Sequence, residues 1–206
     1  MVFAIAGVFF GVIVGWVLGT QQGSGVRPAA ALAAQQPAAP PSSMGGAARP
    51  AAVLDQTKVQ AFETVAKNEP SNAAPRVQLA NLYFDAEHYD DAIKWYEEAL
   101  KLNPKDINVS TDLGVSYYYT NQPDRALAQF DHSLGLDPKH TKTLLNQGIV
   151  RAFGKQDLEG AEKAWQQVLA IAPDSSEGQA AKRAIDAMKS AHTAGGVPGA
   201  APGAKD

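Results

Sequence analysis

The chain has no cysteine among its 206 residues, which excludes disulfides, thiolate metal centres and thiol nucleophiles together. Charge is missing from both ends: outside residues 53–190 the only charged side chains are Arg27, Arg49, Lys205 and Asp206. Taking these from the totals of 18 Lys plus Arg and 21 Asp plus Glu leaves 15 basic and 20 acidic side chains in the middle, a formal charge of −5. A domain of that sign repels a phosphate backbone, so nucleic acid is not an expected partner. Histidine is scarce as well. His88, His132, His140 and His192 are the only four, and no two have the spacing of metal ligands. No glycine-rich phosphate loop and no nucleophile elbow occurs. Without a convergent set of titratable groups, the sequence predicts no catalysis, no cofactor and no metal site.

What is present begins with an uncharged apolar run from Met1 to Leu18, close to the ~20 residues that a helix needs to cross a bilayer. There is no Lys or Arg ahead of it, and Gly19-Thr20-Gln21-Gln22 follows where a signal peptide would carry an Ala-x-Ala site. An uncleaved single-pass anchor over residues 1–19 is therefore expected rather than a cleaved leader. Gly7, Gly11, Gly15 and Gly19 recur every four residues, a stripe along which two membrane helices can approach closely and self-associate. Residues 20–52 are rich in Ala, Pro, Gly and Gln and hold too few large apolar groups to offset the entropy of ordering, so they read as a disordered tether. Residues 191–206 read as a similar disordered tail.

Between these ends one pattern is written twice. Leu79, Ala80, Tyr83, Ala92, Tyr96, Ala99 and Pro104 return 34 residues later as Leu113, Gly114, Tyr117, Ala126, Phe130, Ser133 and Pro138. The small residues would let paired helices approach, the aromatics fill the remaining space, and the proline stops the second helix because it lacks an amide donor. This pattern resembles the tetratricopeptide repeat, a helix–turn–helix unit that stacks into a solenoid.

Pro70 lies 34 residues before Pro104, and Phe62 and Val65 precede it where a second helix would put Tyr96 and Ala99, so a half repeat is expected ahead of the first full one. Downstream, Gly148, Ala161, Trp165 and Val168 continue the pattern, but Pro173 falls 35 residues after Pro138, which implies one inserted residue, placed in the Gly154–Gln156 turn. Gln147 and Arg151 replace the expected apolar and aromatic residues there. The expected architecture is all-α: a right-handed superhelix spanning residues 53–190, built of a half repeat over 53–72 and repeats over 73–106, 107–140 and 141–175. A capping helix over 175–190 follows, its stripe of Ala181, Ala184, Ile185 and Met188 lying opposite Lys182, Arg183, Asp186 and Lys189.

The resemblance implies a binding function. The family's ligand-contacting positions fall here on Val77, Gln78, Asn81, Phe84 and Asp85, then Asn108, Thr111, Asp112, Val115, Tyr118 and Tyr119, then Lys142, Leu145, Asn146, Ile149 and Phe153. The family's clamp for a peptide C-terminal carboxylate is matched only at Asn81 and Lys142; Val77, Asp112 and Asn146 depart from it. Tyr118 and Tyr119 are surplus to the packing signature, and tyrosines are common anchors for bound segments; their alternative role is packing against the neighbouring repeat. Asp112 at the groove's middle implies a basic or amide-rich ligand.

The anchor, the tether and the run Gly160-Ala161-Glu162-Lys163-Ala164-Trp165 followed by Pro173-Asp174-Ser175-Ser176 are similar to the repeat subunits of bacterial cytochrome c maturation. That likeness implies an inner-membrane protein with its repeats on the periplasmic side. The expected function is a membrane-tethered, non-enzymatic scaffold for a protein or peptide partner. The alternative is a structural subunit that oligomerises through its glycine stripe.

Overall fold

The computed structural model describes residues 51–195, and every regular element among them is helical. The expected anchor with Gly7, Gly11, Gly15 and Gly19, the tether up to residue 50 and the tail beyond residue 195 lie outside the described residues. Among those described, no helix is long and apolar enough to cross a membrane. The elements are α1 (Gln56–Asn68), α2 (Ala74–Asp85), α3 (Tyr89–Leu102), α4 (Ile107–Tyr119), α5 (Pro123–Leu136), α6 (Thr141–Ile149), a π turn (Val150–Gly154), α7 (Leu158–Ile171) and α8 (Ser176–Gly195). Each helix packs on the next, and α4 also touches α6 as α6 touches α8, so the first helices of successive hairpins stack side by side.

Local chemistry sets the starts and stops. Asp55 accepts hydrogen bonds from the amides of Thr57 and Lys58 at 3.1 Å each, Asp106 from Val109 at 3.1 Å and Asp157 from Gly160 at 2.9 Å, which satisfies amides that a helix leaves unpaired in its first turn. Within each hairpin the turn passes through one left-handed residue, Glu87 (φ 60°), Asn121 (φ 59°) or Gln156 (φ 56°).

The hairpins close on small residues. Ala80 and Ala92 are fully buried between α2 and α3. A Cβ at Gly114 would stand 2.5 Å from the Phe130 ring, and one at Gly148 would overlap the Trp165 indole. Trp165 is seated by its Nε1–H, which donates to the Leu145 carbonyl at 3.1 Å. Tyr96, Phe130 and Trp165 are each at most 2 % exposed, and burying a large side chain of this kind is worth about 1.5–3 kcal/mol.

The third hairpin departs for a visible reason. In the first two, the amide after the turn bonds back across five residues, His88 to the Tyr83 carbonyl and Gln122 to Tyr117; in the third, Asp157 bonds to Arg151 across six. The extra residue is absorbed by the π turn, where the Lys155 amide reaches the Val150 carbonyl at 3.1 Å, rather than by lengthening the Gly154–Gln156 turn. An extra residue inside a helix is what a π turn accommodates. Arg151, in the place of Tyr83 and Tyr117, pairs with Asp157 at 2.8 Å, and Gln147, in the place of Leu79 and Leu113, donates to Asp131 at 2.8 Å.

At the C-terminal end Ala181, Ala184, Ile185 and Met188 of α8 join Leu144, Trp165 and Val168 in one apolar cluster. Lys182, Arg183, Asp186 and Lys189 face solvent. α8 runs past the 175–190 expected for it to Gly195, because the sequence offers no helix breaker before the Gly195-Gly196 pair. At the other end Ala52 already donates to the Asp85 carbonyl at 2.9 Å, and Leu54 packs against the cluster of Val59, Ala66 and Leu79, so the chain is fixed to the stack from there.

Candidate partner-binding surface

The first helices α2, α4 and α6 carry the residues singled out for binding, and the structure sorts them into three groups. Gln78, Asp85 and Asn108 are exposed, and Val77, Val115, Leu145 and Ile149 are half-buried along the same helices. The second group is engaged inside the stack. Asn81 accepts a hydrogen bond from the Tyr96 hydroxyl at 2.7 Å. Lys142 pairs with Asp112 at 2.6 Å across the seam, whereas half-buried Asn146 bonds only within its own helix, its side chain donating to the Lys142 carbonyl at 2.9 Å, and stays on the partner-facing side.

Asp112 is thus neutralised by a residue of the same chain, so the preference for a basic ligand inferred at that point has no free carboxylate behind it. Thr111 is completely buried, its hydroxyl 2.7 Å from that of Thr143 on α6. It belongs to the seam between repeats rather than to an open groove.

The third group lies where the first helices end. Tyr119 stacks on Tyr89 with ring centroids 4.5 Å apart and planes 14° from parallel; Phe84 meets Tyr89 edge-on at 5.3 Å, and Tyr118 lies 6.1 Å from Tyr119. These rings bridge the first and second hairpins, as their packing alternative implied. Tyr119 nonetheless remains 39 % exposed and Phe153 47 %. Burial, reinforced by Tyr119 and Glu87, pushes the Tyr89 hydroxyl up to about 12, and burial raises Tyr118 and Tyr119 as well, so all three stay neutral near pH 7. Buried Tyr96 is raised further.

Tyr117 is a packing residue. Its hydroxyl donates to Glu97 and accepts from Arg125 at 2.7 Å, and the Arg125 guanidinium sits 3.9 Å from the ring centroid.

Two lining residues escaped the sequence reading. Tyr89 and Leu158 each open the second helix of a hairpin, a position the repeat signature leaves unspecified. The only signal for them was their shared place after the turn.

Two family profiles match this chain: one described as "TPR repeat" over residues 80–121, the other as "Tetratricopeptide repeat" over residues 111–176. No curated protein matches it. Among solved structures it is similar to the first TPR domain of human RPAP3, at 24% identity over 60% of this chain and 96% of that one, with a TM-score of 0.53. It is similar to the first TPR of Spaghetti (RPAP3) bound to an HSP90 peptide, at 25% identity over 59% and 95%, TM-score 0.54. MamA from Desulfovibrio magneticus RS-1 shares the fold at 17% identity over 68% and 88%, TM-score 0.55.

The chain is a tetratricopeptide-repeat protein. Its repeats make it a protein–protein interaction scaffold.

Proposed function

We propose that this scaffold is tethered to a membrane by residues 1–19 and holds a segment of a partner protein along α2, α4 and α6, serving envelope assembly of the cytochrome c-type biogenesis kind. The observation that carries the reading is the set of side chains at recognition positions which the stack leaves uncovered: Gln78 and Asn108 are exposed while the packing signature around them is buried. The Spaghetti domain, solved with an HSP90 peptide, supports a peptide-like ligand by analogy. A carboxylate clamp does not fit. Of its two matching residues, Lys142 is paired with Asp112 and Asn81 has its oxygen taken by the Tyr96 hydroxyl, while Val77, Asp112 and Asn146 depart from the clamp, so an internal segment or a helix suits the surface better than a free C-terminus.

A photo-crosslinking side chain placed at Asn108, and in a second protein at exposed Gln167 on α7, tests this in membranes. The reading predicts a discrete partner adduct from position 108 and none from 167, with the protein in the membrane fraction. Equal labelling from both, or none from 108, contradicts the groove; recovery as a soluble chain contradicts the anchor. Adducts of the chain with itself would instead favour a self-associating assembly subunit.

A further inference from the structure

An apolar strip runs along the edge of the stack where the hairpins turn, starting where the first helices end. It begins at the stacked Tyr89 and Tyr119, passes to Tyr118, and continues to Gly154, where an added Cβ would lie 3.2 Å from the Tyr118 ring. From there Phe153 and Leu158, 47 % and 53 % exposed, lead into an apolar groove of about 960 Å³ floored by Trp165 and walled by α8.

The groove has a sequence cause. Counting from the proline that ends the preceding helix, Ala187 and Met188 stand as far after Pro173 as Tyr118 and Tyr119 stand after Pro104. Where α4 fills the space beside Phe84 and Tyr89 with two tyrosines, α8 offers a methyl group and a half-buried methionine, with Ala184 and Ala191 a turn to either side. The space is left open.

Charge is distributed unevenly along this strip. At the groove the rim charges are matched: Glu162 lies 3.8 Å from Lys189, and Glu159 lies 2.6 Å from Lys163. At the Tyr119 end, exposed Asp85, Glu87 and Asp90 are in no ion pair among the described residues. A cation brought there meets uncompensated carboxylates beside an exposed tyrosine ring, which attracts it as well.

We infer that this turn edge is a second docking surface, fitted to a protein segment with bulky apolar side chains at one end, seated against Phe153 and Leu158, and Lys or Arg at the other, beside Asp85 and Asp90. The inference rests on the reading of the chain as an interaction scaffold and adds a surface to it.

The test uses the full chain in zwitterionic lipid nanodiscs, empty nanodiscs as control, and two fluorescent synthetic peptides. Both carry the same Leu/Phe cluster; one ends in Arg and Lys, the other in Glu and Asp. The basic peptide is expected to bind saturably and about 10-fold more tightly at low salt, the difference shrinking as salt screens it. Leu158→Asp, and separately the pair Asp85→Lys with Asp90→Lys, should each weaken it about 10-fold with an unchanged melting temperature, whereas Gln78→Ala with Asn108→Ala should not. Equal affinity for both peptides, or parent-like binding by the edge variants, overturns the proposal. Loss in the Gln78 and Asn108 variant alone overturns the edge and leaves the groove standing. No saturable binding of either peptide also overturns the edge, while the groove keeps its own crosslinking test.

Discussion

Thr111 on α4 and Thr143 on α6 meet hydroxyl to hydroxyl at 2.7 Å, both completely buried, across the seam between the second and third hairpins. The Thr111 hydroxyl already donates to the Ile107 carbonyl at 2.8 Å. A hydroxyl has one proton, so Thr143 donates to Thr111, and the His140 Nδ1 that lies 2.6 Å from Thr143 must be the donor in that contact. Thr111→Val leaves the Thr143 proton without its acceptor and should cost about 1–2 kcal/mol, while Thr111→Val with Thr143→Val should cost less than the two single changes together. Denaturant melts of the double-mutant cycle measure the coupling, and nitrogen NMR of His140 should report a protonated Nδ1. Additive costs with the proton on Nε2 alone would contradict the chain of donors.

Alkaline stability follows from the tyrosines. All six in the sequence, Tyr83, Tyr89, Tyr96, Tyr117, Tyr118 and Tyr119, are shifted upward, with burial the first cause in each. Above the ordinary value of 10.0 the unfolded chain sheds protons that the folded chain keeps, so stability is whole below that pH and falls as pH rises toward the folded values. Tyrosinate absorbance should therefore appear late, in step with the loss of helical circular dichroism. Titration centred near 10 with helicity retained would show the rings to be more open than they are here.

Gly148 marks a closer helix–helix approach than Gly114. Gly148→Ala would drive a methyl group into the Trp165 indole and disturb its bond to the Leu145 carbonyl, at a cost of roughly 1–3 kcal/mol. Gly135, with nothing within 4 Å of an added Cβ, is the control: it lies in the last turn of α5, where Gly135→Ala should stabilise by up to about 0.5 kcal/mol. Thermal melts followed by tryptophan emission decide between them, and equal melting temperatures would contradict the packing.

Much of the fold was legible because each marker has a local physical duty. Ala80, Gly114 and Gly148 must be small, Pro104 and Pro138 must stop helices, and aromatics must fill what is left, so a spacing of 34 residues reads directly as stacked hairpins. The inserted residue was countable but not locatable by the count alone, since any position between the markers Gly148 and Ala161 satisfies it; only backbone hydrogen bonding distinguishes a π turn from the longer Gly154–Gln156 turn expected. The surface was less legible. Family positions placed Thr111 in a groove, but its side chain turns into the seam, and neither the Lys142–Asp112 pair nor the Tyr89–Tyr119 stack follows from periodicity, because both depend on the offset between neighbouring hairpins.

If a partner lies along α2, α4 and α6, the residues that hold it are separable from those that hold the stack together. The direct measurement pairs melting curves with yields of the partner adduct from the Asn108 region, for Gln78→Arg with Asn146→Arg and for Tyr117→Ala. Tyr117 is 5 % exposed and bonded to Glu97 and Arg125, so its loss should cost about 3–5 kcal/mol and abolish folding and capture together. The arginine pair should keep the parent's helicity within a few degrees of its melting temperature while the adduct yield falls at least about 10-fold. A folded arginine variant that captures the partner at the parent's yield would contradict the claim.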